Sequence, residues 1–394
     1  MRYELNVGIR YLLGRRKEKF ISIISLISVI GVATGVATLI IVIGVMTGFD
    51  NELRDRIIGT SSHIVVDKLG GLDTVPEAMK KIETVPEVSA VAPFVNTQAL
   101  LMDKEKLVSV VVRGIDQDRE PQVTGIGKFI KQGALSVNTG NQIIIGTILA
   151  QQLSLNVGDE VRLVTVALAA GDKYTVSGIF SSDMYDYDSG VVFVSLKNAQ
   201  LLTEDQAMVS GISVKIKDAY KAERVKKSVQ AKLGFPYYTR TWMDLNRNLF
   251  DALKLEKTAM FIILTLIVLV ASLNIASTMI MMVMEKTKDI GILKAIGATN
   301  KSVRVIFTMV GMLIGTIGTL LGTAGGLFMA YLLKTYEFIK LPQDVYYIST
   351  LPVTIEPVDV GWIVIAALGI SLCATFYPAY QASRLNPVET LRYE

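Results

Sequence analysis

"EKTKDIGILKAIGATNKSVR" occupies residues 285–304 and sets Lys286, Lys288, Lys294, Lys301 and Arg304 against Glu285 and Asp289. The runs on either side, residues 258–284 and 305–333, carry no charge at all. Each exceeds the roughly 20 residues a helix needs to cross a bilayer. Two more charge-free runs, residues 20–49 and 360–383, meet the same test. The 394-residue chain is 51% hydrophobic, with a mean hydropathy of +0.44, too apolar for an ordinary soluble protein. The charged stretch is therefore the turn between the second and third of four spans.

Charge gives the orientation. Arg2, Arg10, Arg15, Arg16, Lys17 and Lys19 precede the first span. The 334–359 loop holds only Lys334 and Lys340, against Glu337, Asp344, Glu356 and Asp359. Basic residues favour the cytoplasmic side. The expected layout is a cytoplasmic segment 1–19, a span 20–49, an extracytoplasmic block 50–257 and a span 258–284. A cytoplasmic turn 285–304, a span 305–333, an outer loop 334–359, a span 360–383 and a cytoplasmic tail 384–394 follow. The first run is too long for a signal-peptide core and no small-residue cleavage site follows it, so it reads as a retained anchor. Basic residues gathered at membrane edges argue against a nucleic-acid partner. Cys373 is the sole cysteine and lies inside the last span, where it has no intramolecular disulfide partner.

The 50–257 block alternates in the manner of strands: "HIVVD", "LVSVVVRGID", "NQIIIG", "DEVRLVTV", "KYTVSGIF" and "VVFVSL". "NVGDE" (156–160) marks a turn before a strand. "TVPEAMKKIETV" reads as a proline-initiated helix, and "DAYKAERVKKSVQAKLG" as a helix closed by Gly234. The fold class expected is an α-helical membrane protein with four transmembrane helices. A large extracytoplasmic α+β domain is inserted between the first and second. His63 is the only histidine, so no histidine pair exists to hold zinc, and it reads as a surface or strand-end residue. No nucleophile, base and orienter fall together. In "RTWMDLNRNLFDALKLEKT" (240–258), Trp242, Leu245, Leu249 and Leu253 share a helical face, so one stiff helix is expected to run into the second span. The first charge-free run is about 45 Å long as a helix, against a hydrocarbon core of about 30 Å, so both helices are expected to project from the bilayer.

Gly311, Gly315, Gly318, Gly322 and Gly326 fall on one face of the third span and permit close helix approach. Gly31 with Gly35, and Gly44 with Gly48, repeat the spacing in the first. Packing within the chain is the simple reading and a dimer contact through the first span the sharper one. No span holds an ionisable residue, which argues against an ion or proton pathway. At the outer ends of the first two spans, Met46, Phe49, Met260 and Phe261 are candidates to line an apolar cavity. In the charged turn, Ile290, Leu293 and Ile296 share a face of a short helix from Lys286 to Ile296. Gly297 stops it, and Thr299 or Asn300 caps the next helix. Taken bare, such a helix resting on the membrane surface is the commoner arrangement.

"EKTKDIGILKAIGAT" resembles the coupling segment of FtsX/MacB-like permeases of ABC transporters, and "YPAYQASRLNPVETLRYE" (377–394) resembles that family's ending. The order of spans and outer domain is also the family's. "IRYLLGRRKEKFISIISLISVIGVATGVATLIIVIGVMTGFDNELRDRIIG" (9–59), "VRGID" with "GIFSSDMYDYDSGVVFVSLKNAQ", and "LPQDVYYISTLPVTIEPVDV" (341–360) narrow the resemblance to lipoprotein-releasing permeases of the LolC/LolE type. It covers essentially the whole chain.

The resemblance implies an inner-membrane, multi-pass permease subunit that extracts lipoproteins from the outer leaflet and releases them to a periplasmic carrier. It implies two permease chains, as a homodimer or heterodimer, and a cytoplasmic ATPase. Glu285, Lys288, Asp289, Gly291, Lys294 and Gly297 would then hold the ATPase. The chain has no G-x-x-x-x-G-K-[ST] loop, so no cofactor is expected on it, and ATP and Mg belong to the partner. A non-catalytic subunit follows. A MacB-like exporter of peptides or toxins and an FtsX-like protein signalling to cell-wall hydrolases are the alternatives. One departure is the short "VALAAGDK" connection (166–173), where LolC-like members carry a proline-containing hook that recruits the carrier. A LolE-like role beside a hooked partner would fit it. "SSDMYDYDSG" (181–190) offers acids and tyrosines for protein contact, or else a plain strand connection.

Overall fold

A computed structural model describes residues 19–104, 106–165, 171–203, 208–336 and 350–385. Expectations for residues 1–18, residues 337–349 of the 334–359 loop, residues 166–170 of the short connection and the tail beyond 385 lie outside them. The chain divides into two compact units. One holds residues 1–50, 253–339 and 351–394; the other holds 51–252 and 340–350.

In the first unit, four helices are long and apolar enough to cross a membrane. The helix of the first span runs Lys19–Thr60, the second Arg247–Glu285, the third Asn300–Tyr336 and the fourth Pro357–Ser383. The first continues well past its apolar run, because "DNELRDRII" holds no breaker and Glu52 pairs with Arg56 one turn on, at 2.8 Å. The second starts later than the leucine spacing predicts. Trp242–Leu245 is a separate short helix with a Thr241/Asp244 capping box, and Asn246 (φ −108°, ψ 31°) breaks from it. Trp242 is buried in the other unit's core, its indole N–H donating to the Ala219 carbonyl at 3.0 Å, while Leu245 is exposed.

The third span is the packing centre. A Cβ built on Gly311 or Gly315 would strike Thr375 or Ser371 of the fourth span at 2.3 and 2.4 Å. One on Gly318, Gly322 or Gly326 would meet the first span, at Val32, the Ala33 carbonyl (2.5 Å) and Ala37. Ser371 and Thr375 bond their own helix's carbonyls at Ala367 and Ser371, so these two hydroxyls are satisfied where the helices touch. Gly44 and Gly48 seat the chain between Pro352 and Ile355, and the Thr354 N–H donates to the Gly44 carbonyl at 2.9 Å.

The second unit is built on one mixed sheet. Its strands are β1 (Ile64–Lys68), β2 (Val88–Asp103), β3 (Lys106–Ile115), β4 (Ile130–Gly133) and β5 (Gln142–Gly146). Then come β6 (Glu160–Val164), β7 (Asp172–Phe180), β8 (Val191–Ser195), β9 (Gly211–Ile216) and β10 (Tyr237–Thr241). The order is β10-β1-β9-β2-β3-β8-β5-β7-β4, with β6 on β2 and β7. The β3–β8 and β5–β7 pairs are parallel. Alternation along β5 sends Ile143 and Ile145 into the larger core and Ile144 into a smaller one with Phe180 and Phe193. That explains the unbroken apolar run in "NQIIIG": both faces are covered. The predicted helices form as Val75–Glu83 and Ala222–Leu233, the latter closed by Gly234 at φ +71°.

Three local features complete this unit. Gln230 of the Ala222–Leu233 helix lies along the edge strand β10. Its amide donates to the Tyr237 carbonyl at 2.7 Å and accepts from the Thr239 N–H at 3.0 Å. His63 sits at the strand end, as expected, but buried: Nδ1 accepts from the Ile216 N–H at 3.3 Å. Burial, then the Lys215 charge, lowers its pKa to about 4. "SSDMYDYDSG" is a strand connection turned inward. The Asp188 carboxylate accepts from the Ser182 N–H and hydroxyl at 2.8 and 2.6 Å, and burial raises its pKa. Tyr187 packs on Phe180 and Phe193, and burial pushes its hydroxyl up to about 12. These two residues are therefore not the outward acidic, aromatic surface the sequence offered.

Candidate functional site

Two places in the membrane unit have the form of a site: a groove between the first and second spans, and the charged turn after the second.

The groove follows from side-chain size. Gly31, Thr34, Gly35 and Thr38 make a face of small residues on the first span. Ile263, Leu266, Ile267, Val270, Ala271 and Asn274 face them from the second, at helical spacing. Small against large leaves a gap of about 1090 Å³, its mouth included, and Ile263, Leu266 and Val270 stay half exposed along it. Behind it, Val36, Leu39, Ile275, Ile363 and Ala367 help line a small, mainly apolar space of about 40 Å³ that reaches the fourth span.

Polar contacts pin the two helices at each end. At the end nearer the charged turn, the buried Ser28 hydroxyl donates to Asn274 Oδ1 at 3.2 Å and shares a hydrogen bond with Thr278. Gly31 leaves room for the Asn274 amide, since a Cβ there would lie 2.8 Å from Nδ2. At the other end, Lys257 Nζ meets Asp50 Oδ2 at 2.5 Å; Asp50 is buried and its Oδ1 has no hydrogen-bond partner. Ser28 and Asp50 are about 33 Å apart along the helix, close to the thickness of a bilayer's hydrocarbon. The absence of charge within the spans drew attention away from Ser28, Asn274 and Thr278. A search for amides and hydroxyls in apolar runs would have found them.

Met46, Phe49, Met260 and Phe261 do not line this groove. In chain order they fall between it and the Asp50–Lys257 pair. Met46, Phe49 and Met260 are half-buried, and Phe261 is exposed.

The charged turn folds as Thr287–Ala295, set off by non-helical Lys286 and stopped by Gly297 at φ +109°. The Thr299 hydroxyl accepts from the Ser302 N–H and caps the third-span helix. Ile290 and Gly291 are buried, and Ile290 joins the core of the four helices. Ile296 does not share that burial: it is 81% exposed. Lys294 turns inward, donating to the Ser383 and Leu385 carbonyls at 2.7 and 2.8 Å at the end of the fourth span. Desolvation lowers its pKa. Asp289 pairs with the buried Lys286 at 3.2 Å. The outward surface is thus Glu285, Lys288, Ile292, Ile296 and Gly297.

Comparison with known proteins bears on both places. The model of the MacB-like periplasmic core domain matches residues 25–232, and that of the FtsX-like permease C-terminal domain residues 261–387. The lipoprotein-releasing system transmembrane protein LolC of Xylella fastidiosa (strain Temecula1) is 35% identical over 98% of each chain. The chain belongs to the LolC/LolE permease family. LolE of Haemophilus influenzae is 29% identical over 97% of each chain, so the family likeness extends to both namesakes. The periplasmic region of MacB from Actinobacillus actinomycetemcomitans superposes on 50% of this chain and 95% of its own. That fit, with 13% identity and a TM-score of 0.35, is too loose to carry an argument. Within the family alignment, the groove falls in the matched first span and at the start of the FtsX-like region, and the charged turn lies wholly within the latter.

Proposed function

We propose that this chain is the permease subunit of an ABC transporter that releases lipoproteins from the inner membrane. It takes a lipoprotein from the outer leaflet and passes it to a periplasmic carrier. It performs no hydrolysis itself: a separate ATPase binds ATP and Mg and docks on the 285–304 turn. A second permease chain, the same or different, completes the pathway. The termini and the turn face the cytoplasm, and the block between the first and second spans lies in the periplasm. Positive charge at the turn, from Lys286 to Arg304, supports that orientation.

The groove carries the reading. It is apolar, it is open along one flank, and it lies between polar pins that are themselves about a bilayer's hydrocarbon thickness apart. An acyl chain laid along Leu266, Val270 and Thr38 would be surrounded on one side by protein and on the other by lipid. Every methylene later moved out of lipid costs about 0.8 kcal/mol, so release of several chains needs ATP. At the turn, Ile292 and Ile296 offer an apolar tip flanked by Lys288 and Glu285, a form suited to a pocket on the ATPase.

Two measurements test this. Photo-crosslinkers at Leu266 and Thr38 are expected to capture lipoprotein, whereas one at Leu320, exposed on the third span, is not. Capture of phospholipid alone would refute the groove assignment, and capture of a peptide toxin would move the chain to the MacB-like exporters. Reversing Lys288 and Asp289 together is expected to abolish co-purification of the ATPase. Unchanged association and transport would remove the docking assignment.

A further inference from the structure

At the end of the bundle next to the charged turn, Tyr380 of the fourth span holds two arginines. The Arg304 guanidinium carbon lies 5.0 Å from the ring centroid and that of Arg384 lies 4.6 Å from it. Among the described residues, neither arginine pairs with a carboxylate, and Arg304 Nε is sheltered from water without an acceptor. Sharing one ring brings the charges within about 10 Å of each other, where like charges repel. Arg304 belongs to the first turns of the third-span helix, whose unpaired N–H groups and dipole add positive potential. Lys294 of the turn is already committed to the Ser383 and Leu385 carbonyls. Stacking thus fixes two forked donors at the charged end of two spans and leaves their negative counterpart to come from elsewhere.

We propose that Arg304 and Arg384, held by Tyr380, seat the phosphate of an anionic phospholipid between the ends of the third and fourth spans. Guanidinium forks match phosphate oxygens two at a time, and basic pockets between helix ends are a recurrent form of lipid headgroup site. The seat is separate from the groove and takes a resident lipid rather than cargo. That this end faces the cytoplasm rests on the orientation above. The chemistry does not, since both leaflets present phosphate.

Native mass spectrometry of the full chain, equilibrated with equal phosphatidylglycerol and phosphatidylethanolamine, tests the seat. The wild-type chain is expected to retain phosphatidylglycerol with about a tenfold preference. Arg304→Gln with Arg384→Gln should bring the two lipids to parity. Arg304→Lys with Arg384→Lys keeps both charges and guards against a folding failure; it should give an intermediate preference. Tyr380→Leu, which removes the platform alone, should weaken retention, and Lys334→Gln at the far end of the third span should not. Equal retention by the wild-type chain and the Gln pair would overturn the proposal. So would displacement of the lipid by millimolar inorganic phosphate, or loss of ATPase association with lipid preference intact, which would make the arginines a protein contact. Lipoprotein capture in the groove is read independently, so either result can fail alone.

Discussion

The two units solve the same packing problem in different solvents. In the sheet unit, contacts are made by large apolar side chains: Trp242, Phe180, Phe193, Ile64 and Leu101 are almost wholly buried. In the helical unit, the closest contacts along the third span are made by glycine against alanine, serine and threonine, while Leu320, Phe328 and Phe376 point outward. Water drives the first arrangement, because large side chains gain most by leaving it. Lipid is as apolar as leucine and gives no such drive, so helices associate where small residues let backbones touch. The same residue type therefore has opposite value in the two units.

The comparison would break most visibly at Gly322. Gly322→Leu places a side chain on the Ala33 carbonyl and should abolish recovery of a monodisperse protein. Gly325→Leu, with open space at its Cβ, should be recovered normally. Equal recovery of the two would show that the glycine face is not what holds the bundle. In the sheet unit the expected sign reverses, since loss of bulk is what hurts. Phe193→Ala, which removes the edge-to-face contact with Phe180 at 5.2 Å, should destabilise that unit by about 3–5 kcal/mol. Hydrogen exchange of β5 and β8 amides in the full chain would read it.

A smaller effect concerns protons. The folded His63 has a pKa near 4, against 6.5 unfolded, because burial disfavours the charged ring. Between those values the unfolded chain binds a proton that the folded chain refuses. Stability from this group is complete above pH 6.5 and is lost progressively as pH falls to about 4. Asp188, with its raised pKa, contributes in the opposite sense, so the test is the difference between the wild-type chain and His63→Gln. A difference that stays flat between pH 7 and 4 would remove the assignment. The smallest effect belongs to the lipid face. Leu269→Ala on the exposed second span should change stability by no more than about 0.5 kcal/mol, although the same change in the sheet core would be severe.

These differences also explain what the sequence made legible. Spans announce themselves because lipid satisfies no backbone group, so a long unbroken apolar helix is the only local solution. Gly297 and Thr299 declare a stop and a cap because the chemistry is local to the turn. Trp242 misleads because helical spacing records a face but not which core that face enters. A tryptophan that directly follows the last strand residue, Thr241, went to the sheet's core. Lys294 has the composition of a docking residue, and its occupation with the fourth span's last carbonyls depends on residues about ninety positions away. Met46, Phe49, Met260 and Phe261 fall outside the groove, which was not legible for a similar reason: a cavity is made by a mismatch of sizes between two helices. Either helix alone shows only half of it.

Gln230 gives the sheet an ending that a strand could not. Tyr237 and Thr239 turn one carbonyl and one N–H outward from β10, the pair a further strand would grip, and a single amide meets both. An unguarded sheet edge is an invitation to pair with another copy and polymerise. The amide is a plug with the valence of a strand and no second edge of its own, so the sheet is finished at β10 and no neighbour can continue it there.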